Sequence, residues 1–182
     1  VNKLYLVIPC YNEQEVLGET AKRLKEKMHM LIQNGRISPE SRIVFVNDGS
    51  KDGTWVMIEQ LHASDASFAG ILLARNRGHQ HALLAGLMQV KAHADAVISL
   101  DADLQDDIDA IDEFVAQHDE GFDILYGVRR VREKDSWFKR TTAQSFYKLM
   151  RLMSAELVYN HTDYRVMSRR ALEGLAEFGE TN

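Results

Sequence analysis

The sequence predicts an α/β fold in which a mostly parallel sheet is flanked by helices. Three observations carry that expectation. Short apolar runs of strand length alternate with amphipathic stretches of helix length, turn-rich polar clusters separate them, and unusual polar residues gather just after the apolar runs. Such alternation implies crossover connections, and ligands in these sheets bind beyond the carboxyl ends of the strands.

Leu4 to Ile8 is a nearly continuous apolar run halted by Pro9, the pattern of a strand buried on both faces. From Glu15 onward Leu17, Ala21, Leu24, Met28 and Leu31 recur at spacings of three and four, which predicts a helix that Asn34-Gly35 terminates. Ile43 to Val46 is a second buried-type strand, followed by the turn-rich 47–53 and a helix carrying Trp55, Ile58 and Leu61. The alternation continues with a strand over 69–74, a helix over 80–93, a strand over 96–100, a helix over 108–120 and a strand over 123–126. The segment 129–151 breaks the pattern, with eight basic residues against two acidic ones and Trp137, Phe138, Phe146 and Tyr147 interleaved. A strand-like piece over 164–167 then leads through Ser168, a fitting N-cap, into a helix over 169–177.

Length and composition narrow the class. The 182 residues, 45% of them hydrophobic, suit one substantial core, so a single domain over 1–182 is expected. A formal net charge of -5 argues against nucleic acid as a partner. The lone Cys10 cannot pair within the chain, which fits a reducing compartment, with the cytosol as default. No run approaches the ~20 apolar residues that cross a bilayer. Both ends look cut, because Val1 enters a strand almost at once and Asn182 follows a helical pattern closely.

Four polar clusters follow the strands. Asp101-Ala102-Asp103 comes after Val97 to Leu100, and two carboxylates at a strand end can share a divalent cation with a substrate's phosphates. In extended geometry residues 101, 103 and 105 point the same way, so Gln105 could join them. The competing reading is an acidic loop that caps the next helix, since Asp106, Asp107 and Asp109 suit a helix N-terminus. Asp48, straight after the second strand, could bond a base or ribose, or form an Asx-turn. Pro9 to Glu13 lacks the glycines of a dinucleotide-binding turn, and no P-loop lysine motif is present, which counts against dehydrogenases and NTPases. Tyr11 could pack on a planar base with Asn12 and Glu13 bonding its edge, or these could be a loop aromatic and a helix cap. Arg75 to His79 opens a helix, a natural place for anionic oxygens on backbone N–H groups. His79 and His81 diverge on that helix, so zinc is disfavoured, and a lone buried cysteine such as Cys10 is usually packing.

Taken together, the stretches 7–13, 46–54, 76–79 and 101–106 resemble the family 2 glycosyltransferases, along essentially the whole chain. The resemblance implies the GT-A fold, a Rossmann-like nucleotide-binding sheet with an Asp-x-Asp metal motif. Gly127-Val128-Arg129 with its basic sequel, and 163–170, are most similar to the polyprenyl-phosphate branch, which moves a sugar from a UDP- or GDP-sugar to dolichyl or undecaprenyl phosphate. Arg77 and Tyr164 depart from that pattern, standing where an aromatic and a phenylalanine are usual.

What the resemblance implies about the site is specific. Pro9, Tyr11, Asn12, Glu13, Asp48, Gly78, His79, Asp101 and Ala102 would line the nucleotide-sugar site. Asp101, Asp103 and Gln105 would hold Mg²⁺ or Mn²⁺ on the diphosphate. Arg129 and Arg140 would clamp the departing nucleoside diphosphate, and Asp163 is the family-derived candidate base. A lipid phosphate, largely anionic with a second pKa of about 6, hardly needs a base, so Asp163 could instead orient Arg165 or the acceptor. Attack opposite the leaving group inverts the anomeric centre. The basic segment 129–151 is either a solvated helix or a membrane-surface element, and the resemblance favours the cytoplasmic face of the cell membrane, with membrane helices expected after Asn182. Rival readings are a family 2 enzyme acting on a saccharide acceptor of the cell wall or surface, a nucleotide-sugar-binding domain without turnover, and a sugar nucleotidyltransferase. The last should carry a Gly-rich loop where Pro9 to Glu13 stands, and a processive synthase should carry Gln-x-x-Arg-Trp. A homo-oligomer is left open.

Overall fold

The structure, a computed structural model, describes residues 1–103, 105–128 and 161–177. In chain order these form β1 (Leu4–Cys10), α1 (Leu17–Gln33), β2 (Arg42–Asn47), α2 (Thr54–Ser64), β3 (Phe68–Leu72), α3 (His79–Val90), β4 (Ala96–Ser99), α4 (Ala110–Asp119), β5 (Ile124–Val128), β6 (His161–Ser168) and α5 (Arg169–Glu177). Six strands make one sheet in the order β3-β2-β1-β4-β6-β5. The first four are mutually parallel, and β6 runs antiparallel to both β4 and β5. The expected α/β fold with a mostly parallel sheet is therefore present, with one reversed strand inserted.

The sheet is apolar on both faces because helices cover both. Leu6, Ile8 and Cys10 of β1 join Leu17, Leu24 and Ile58 of α1 and α2 and Ile111 of α4 in one core. Val7, Val44 and Val46 join Ala82, Leu83 and Leu87 of α3 and Leu172 of α5 in the other. All five periodic positions of α1 are buried, as the spacing predicts. Asn34 caps that helix and Gly35 leaves it at φ +66°, the chain reversal that Asn34-Gly35 foretells. Ser168 caps α5 in the expected way, its Oγ accepting the Ala171 N–H at 3.1 Å.

Where β3 ends is set by pairing: its ladder with β2 stops at Asn47↔Leu72, so Leu73 and Ala74 of the expected strand lie beyond it. The switch in strand order falls between β1 and β4, whose neighbours lie on opposite sides. In open sheets of this kind the loops leaving the carboxyl ends diverge at such a switch point, which is where a ligand crevice forms.

Helix α3 approaches β1 and β2 closely through Gly86. A Cβ at that position would stand 2.6 Å from Val7 Cγ1 and 2.7 Å from Val46 Cγ2, below any real contact. Gly86→Val should cost about 3 kcal/mol in urea unfolding through overpacking. Gly174→Ala in α5, where an added Cβ meets nothing within 4 Å, should instead hold or raise stability by up to about 1 kcal/mol.

Candidate functional site

The loop after β1 turns without glycine. Asn12 takes φ 56°, a conformation that asparagine tolerates better than most residues, and reciprocal bonds hold it there. Its N–H donates to Ser50 Oγ at 2.9 Å, and its own Oδ1 accepts the Lys51 N–H at 2.9 Å. Glu13 N–H donates to Thr54 Oγ1, Gln14 N–H to Asp52 Oδ2, and Gly53 N–H to Gln14 Oε1. The β1 and β2 loops are thereby zipped into one unit, which leaves Tyr11 40% exposed at its edge. Burial raises the Glu13 carboxyl above its ordinary range, and the charges of Asp103, Asp52 and Asp101 raise it further. The β1 loop and the acidic segment after β4 thus meet electrostatically across the switch point.

Asp48 lies beneath this unit, 2% exposed. Its Oδ1 accepts the Arg77 N–H at 2.7 Å and its Oδ2 the Gly78 N–H at 2.8 Å. Its own N–H donates to Cys10 O at 2.8 Å. Gly49 follows at φ +66°, where a Cβ would stand 2.7 Å from backbone atoms of Arg75 and Asn76. Two expectations change here. The two backbone N–H groups expected to receive a ligand's anionic oxygens at 77–78 are satisfied by Asp48, an anion supplied from within. The Asx-type turn belongs not to Asp48 but to Asn47, whose Oδ1 accepts the Ser50 N–H at 3.3 Å.

The acidic segment differs from the extended geometry expected of it. Pairing of β4 with β1 and with β6 ends at Ser99, and 102–103 form a turn. Ala102 points inward, 3% exposed, and its carbonyl accepts the Thr20 hydroxyl at 2.5 Å. Asp103 is exposed and accepts two bonds from Gln105, from the backbone N–H at 3.1 Å and from Nε2 at 2.7 Å. Gln105 thus supports Asp103 as a donor, which keeps its side chain beside that carboxylate. His79 Nε2 is 3.8 Å from Asp101 Oδ1, beyond hydrogen-bond length.

Among the described residues no group of three or more His, Cys, Asp or Glu side chains could hold a metal ion by itself. The donors present still fit a hard cation that completes its shell elsewhere. Mg²⁺ is usually held by one or two carboxylates together with substrate phosphates, and Mn²⁺ takes the same oxygen donors.

Strand β6 brings a further residue to this edge. It runs antiparallel to β4 and sets Arg165 opposite Ser99, the last residue of β4. The Asp163 side chain, Arg129 and Arg140, with the whole basic segment 129–151, lie outside the described residues. Tyr164 is buried, its hydroxyl donating to Asp107 O at 3.0 Å and its ring meeting Phe114 edge-on at 4.8 Å. That bond gives the departure from phenylalanine a structural use. Cys10 is buried with its thiol pushed up by desolvation, which makes it packing and not a nucleophile. Sequence reasoning missed Gln14, Ser50, Asp52, Thr54 and Thr20, whose hydrogen bonds shape the loops. A polar residue on the apolar stripe of α1 was the available signal for Thr20.

Asp48→Ala strips two part-buried N–H groups of their acceptor and leaves the space of a buried carboxylate, and should cost about 2 kcal/mol in urea unfolding. Asp48→Asn keeps one acceptor and should cost less.

The glycosyl transferase family 2 profile matches residues 5–175. The chain is 49% identical over 179 residues to the uncharacterized glycosyltransferase YkoT of Bacillus subtilis, spanning 98% of this chain and 53% of that protein. It is 37% identical over 181 residues to the bactoprenol glucosyl transferase of Shigella phage SfV, spanning 99% of this chain and 56% of that one. The chain therefore spans about half the length of the curated relatives it matches. Among solved structures, glucosyl-3-phosphoglycerate synthase from Mycobacterium tuberculosis, in complex with Mn²⁺, UDP-glucose and phosphoglyceric acid, aligns with a TM-score of 0.62 at 14% identity. That alignment spans 93% of this chain and 57% of the other, a likeness of fold. The alternation of strands and helices and the mostly parallel sheet are those of a Rossmann-like GT-A fold, and on the extent of these matches the chain belongs to glycosyl transferase family 2.

Proposed function

We propose that the chain is the catalytic domain of an inverting, metal-dependent glycosyltransferase that moves a glucose-type or mannose-type hexose from a nucleotide sugar to a polyprenyl phosphate. The observation that carries this reading is the placement of the loop with Tyr11 and Glu13 after β1 and the acidic segment 101–103 after its parallel neighbour β4, with Tyr11 exposed. The bactoprenol glucosyl transferase name of the phage relative supports the acceptor class and favours glucose. No helix among the described residues is long and apolar enough to cross a membrane. The proposed acceptor is a lipid, so the domain would work at the cytoplasmic face of the cell membrane, with the segment 129–151 against the headgroups.

In this reading Tyr11 stacks on the base, while Pro9, Asn12 and Glu13 shape its pocket. Asp48 contributes through the loop it holds, keeping Gly78 and His79 beside the crevice. Asp101, Asp103 and Gln105 would hold Mg²⁺ or Mn²⁺, which would supply positive charge to offset that of a departing diphosphate. Arg129 and Arg140 add to that stabilisation. An oxygen of the acceptor phosphate attacks the anomeric carbon as the bond to the diphosphate breaks, inverting the centre. That oxygen is already anionic near neutrality, so Asp163 serves to orient the acceptor or Arg165 rather than to remove a proton.

Calorimetric titration of UDP, UDP-glucose and GDP-mannose with and without Mn²⁺ tests the reading. One nucleotide sugar should bind only with the metal, and Asp103→Ala should weaken that binding at least tenfold, about 1.4 kcal/mol. Binding that ignores both the metal and the substitution would overturn it.

A further inference from the structure

Helix α1 carries two buried polar side chains on the face it turns to the core, Thr20 at 1% and Lys27 at 6% exposure. They lie two helical turns apart, so both look toward the same neighbouring segment. Thr20 Oγ1 stands 2.5 Å from Ala102 O. Lys27 Nζ stands 2.6 Å from Asp109 Oδ1 and 2.7 Å from Asp112 Oδ2. Burial pulls the Lys27 ammonium down, but its two carboxylate partners outweigh this and raise it above the ordinary lysine range, which keeps it charged. One helix therefore straps the acidic segment at both ends, at residue 102 and at the entry to α4.

The Thr20 hydroxyl has one proton and two carbonyls in reach, Ala102 O at 2.5 Å and Val16 O at 3.1 Å. Val16 O already accepts the backbone N–H of Thr20 at 3.1 Å. The shorter contact assigns the proton to Ala102, whose residue is sealed from water. Without that donor a buried carbonyl loses its partner, and the cost is relieved by rotating the 102–103 peptide toward solvent. Such a rotation moves the side chains on either side of it.

We propose that Thr20 is a positioning residue for the Asp101 and Asp103 carboxylates. Its hydroxyl pins the Ala102 carbonyl inward, which fixes the peptide between them and with it the directions of both flanking carboxylates. The inference rests on the donor-site reading given above. Lys27 holds the far end of the segment, so loss of Thr20 releases residues 101–103 locally and leaves α4 in place.

The test compares wild type, Thr20→Val and Thr20→Ser by two measurements. Amide hydrogen exchange at Asp103 without metal reads the strap. Electron paramagnetic resonance titration of Mn²⁺, alone and with UDP or GDP, reads the carboxylates. Thr20→Val, which matches threonine in shape but has no donor, should speed Asp103 exchange and weaken Mn²⁺ binding, each roughly tenfold. Thr20→Ser should restore both. Faster exchange with wild-type Mn²⁺ affinity would overturn the positioning role while leaving the donor site intact. Failure of wild type to take up Mn²⁺ with either nucleotide would overturn the donor-site reading and this role with it. Thr20→Ala removes the same donor with less bulk and carries the comparison if Thr20→Val does not fold.

Discussion

One buried carboxylate organises the edge of the sheet on which the site stands. Asp48 receives two backbone N–H groups from the loop before α3, and its own N–H reaches back to the end of β1. Three successive strand ends are thereby tied through a single residue. The arrangement is stable because a buried carboxylate is tolerated only where charged-acceptor bonds replace its hydration, and these are about twice as strong as neutral ones. Gly49 completes it: only a residue without Cβ lets the β2 loop lie against the backbone of Arg75 and Asn76. The adjacent β1 loop can then do without glycine, because Asn12 holds its positive φ through bonds to Ser50 and Lys51.

The reversed strand solves a second problem. In a wholly parallel sheet every strand's amino end lies far from the ligand edge, so residues before an added strand could not approach Asp101. β6 enters from that edge, and its Arg165 lies opposite Ser99 at the carboxyl end of β4. Its other end is secured with equal care. Arg169 donates to Ala94 O at 2.9 Å and to Asp95 Oδ1 at 3.0 Å, and Asp123 accepts the Ser168 hydroxyl at 2.6 Å. These bonds fix the register, and a slip of one residue would turn Val166 out of one core and Met167 out of the other.

How much of this is legible in the sequence follows from the range of each interaction. The α1 stripe, the helix stop at Asn34-Gly35 and the Ser168 cap are local patterns, and each is where periodicity or cap chemistry puts it. The insertion of β6 between β4 and β5 is not legible, because a short apolar run over 164–167 says nothing about which strand it pairs with. Asp48 illustrates the same limit: its partners stand 29 and 30 residues away, while the turn chemistry read from its neighbourhood belongs to Asn47. The extended geometry expected of residues 101, 103 and 105 fails for a related reason. Extended geometry lasts only as long as a ladder enforces it, and both ladders of β4 stop at Ser99.

The incompleteness of the acidic site is informative on the proposed reading. Two carboxylates and a carboxamide leave several positions of a six-oxygen shell to other donors, and a diphosphate supplies them. Without a cation, the carboxylates of Asp101 and Asp103 would repel that diphosphate. Without the diphosphate, the cation lacks much of its shell. Each partner therefore removes an obstacle to the other, and by linkage the two enhance each other's binding by the same factor. A site built this way holds little metal at rest and assembles with its donor. The precision it needs must come from the chain beneath it, from the Asp48 tie under one side of the crevice and from α1 under the other.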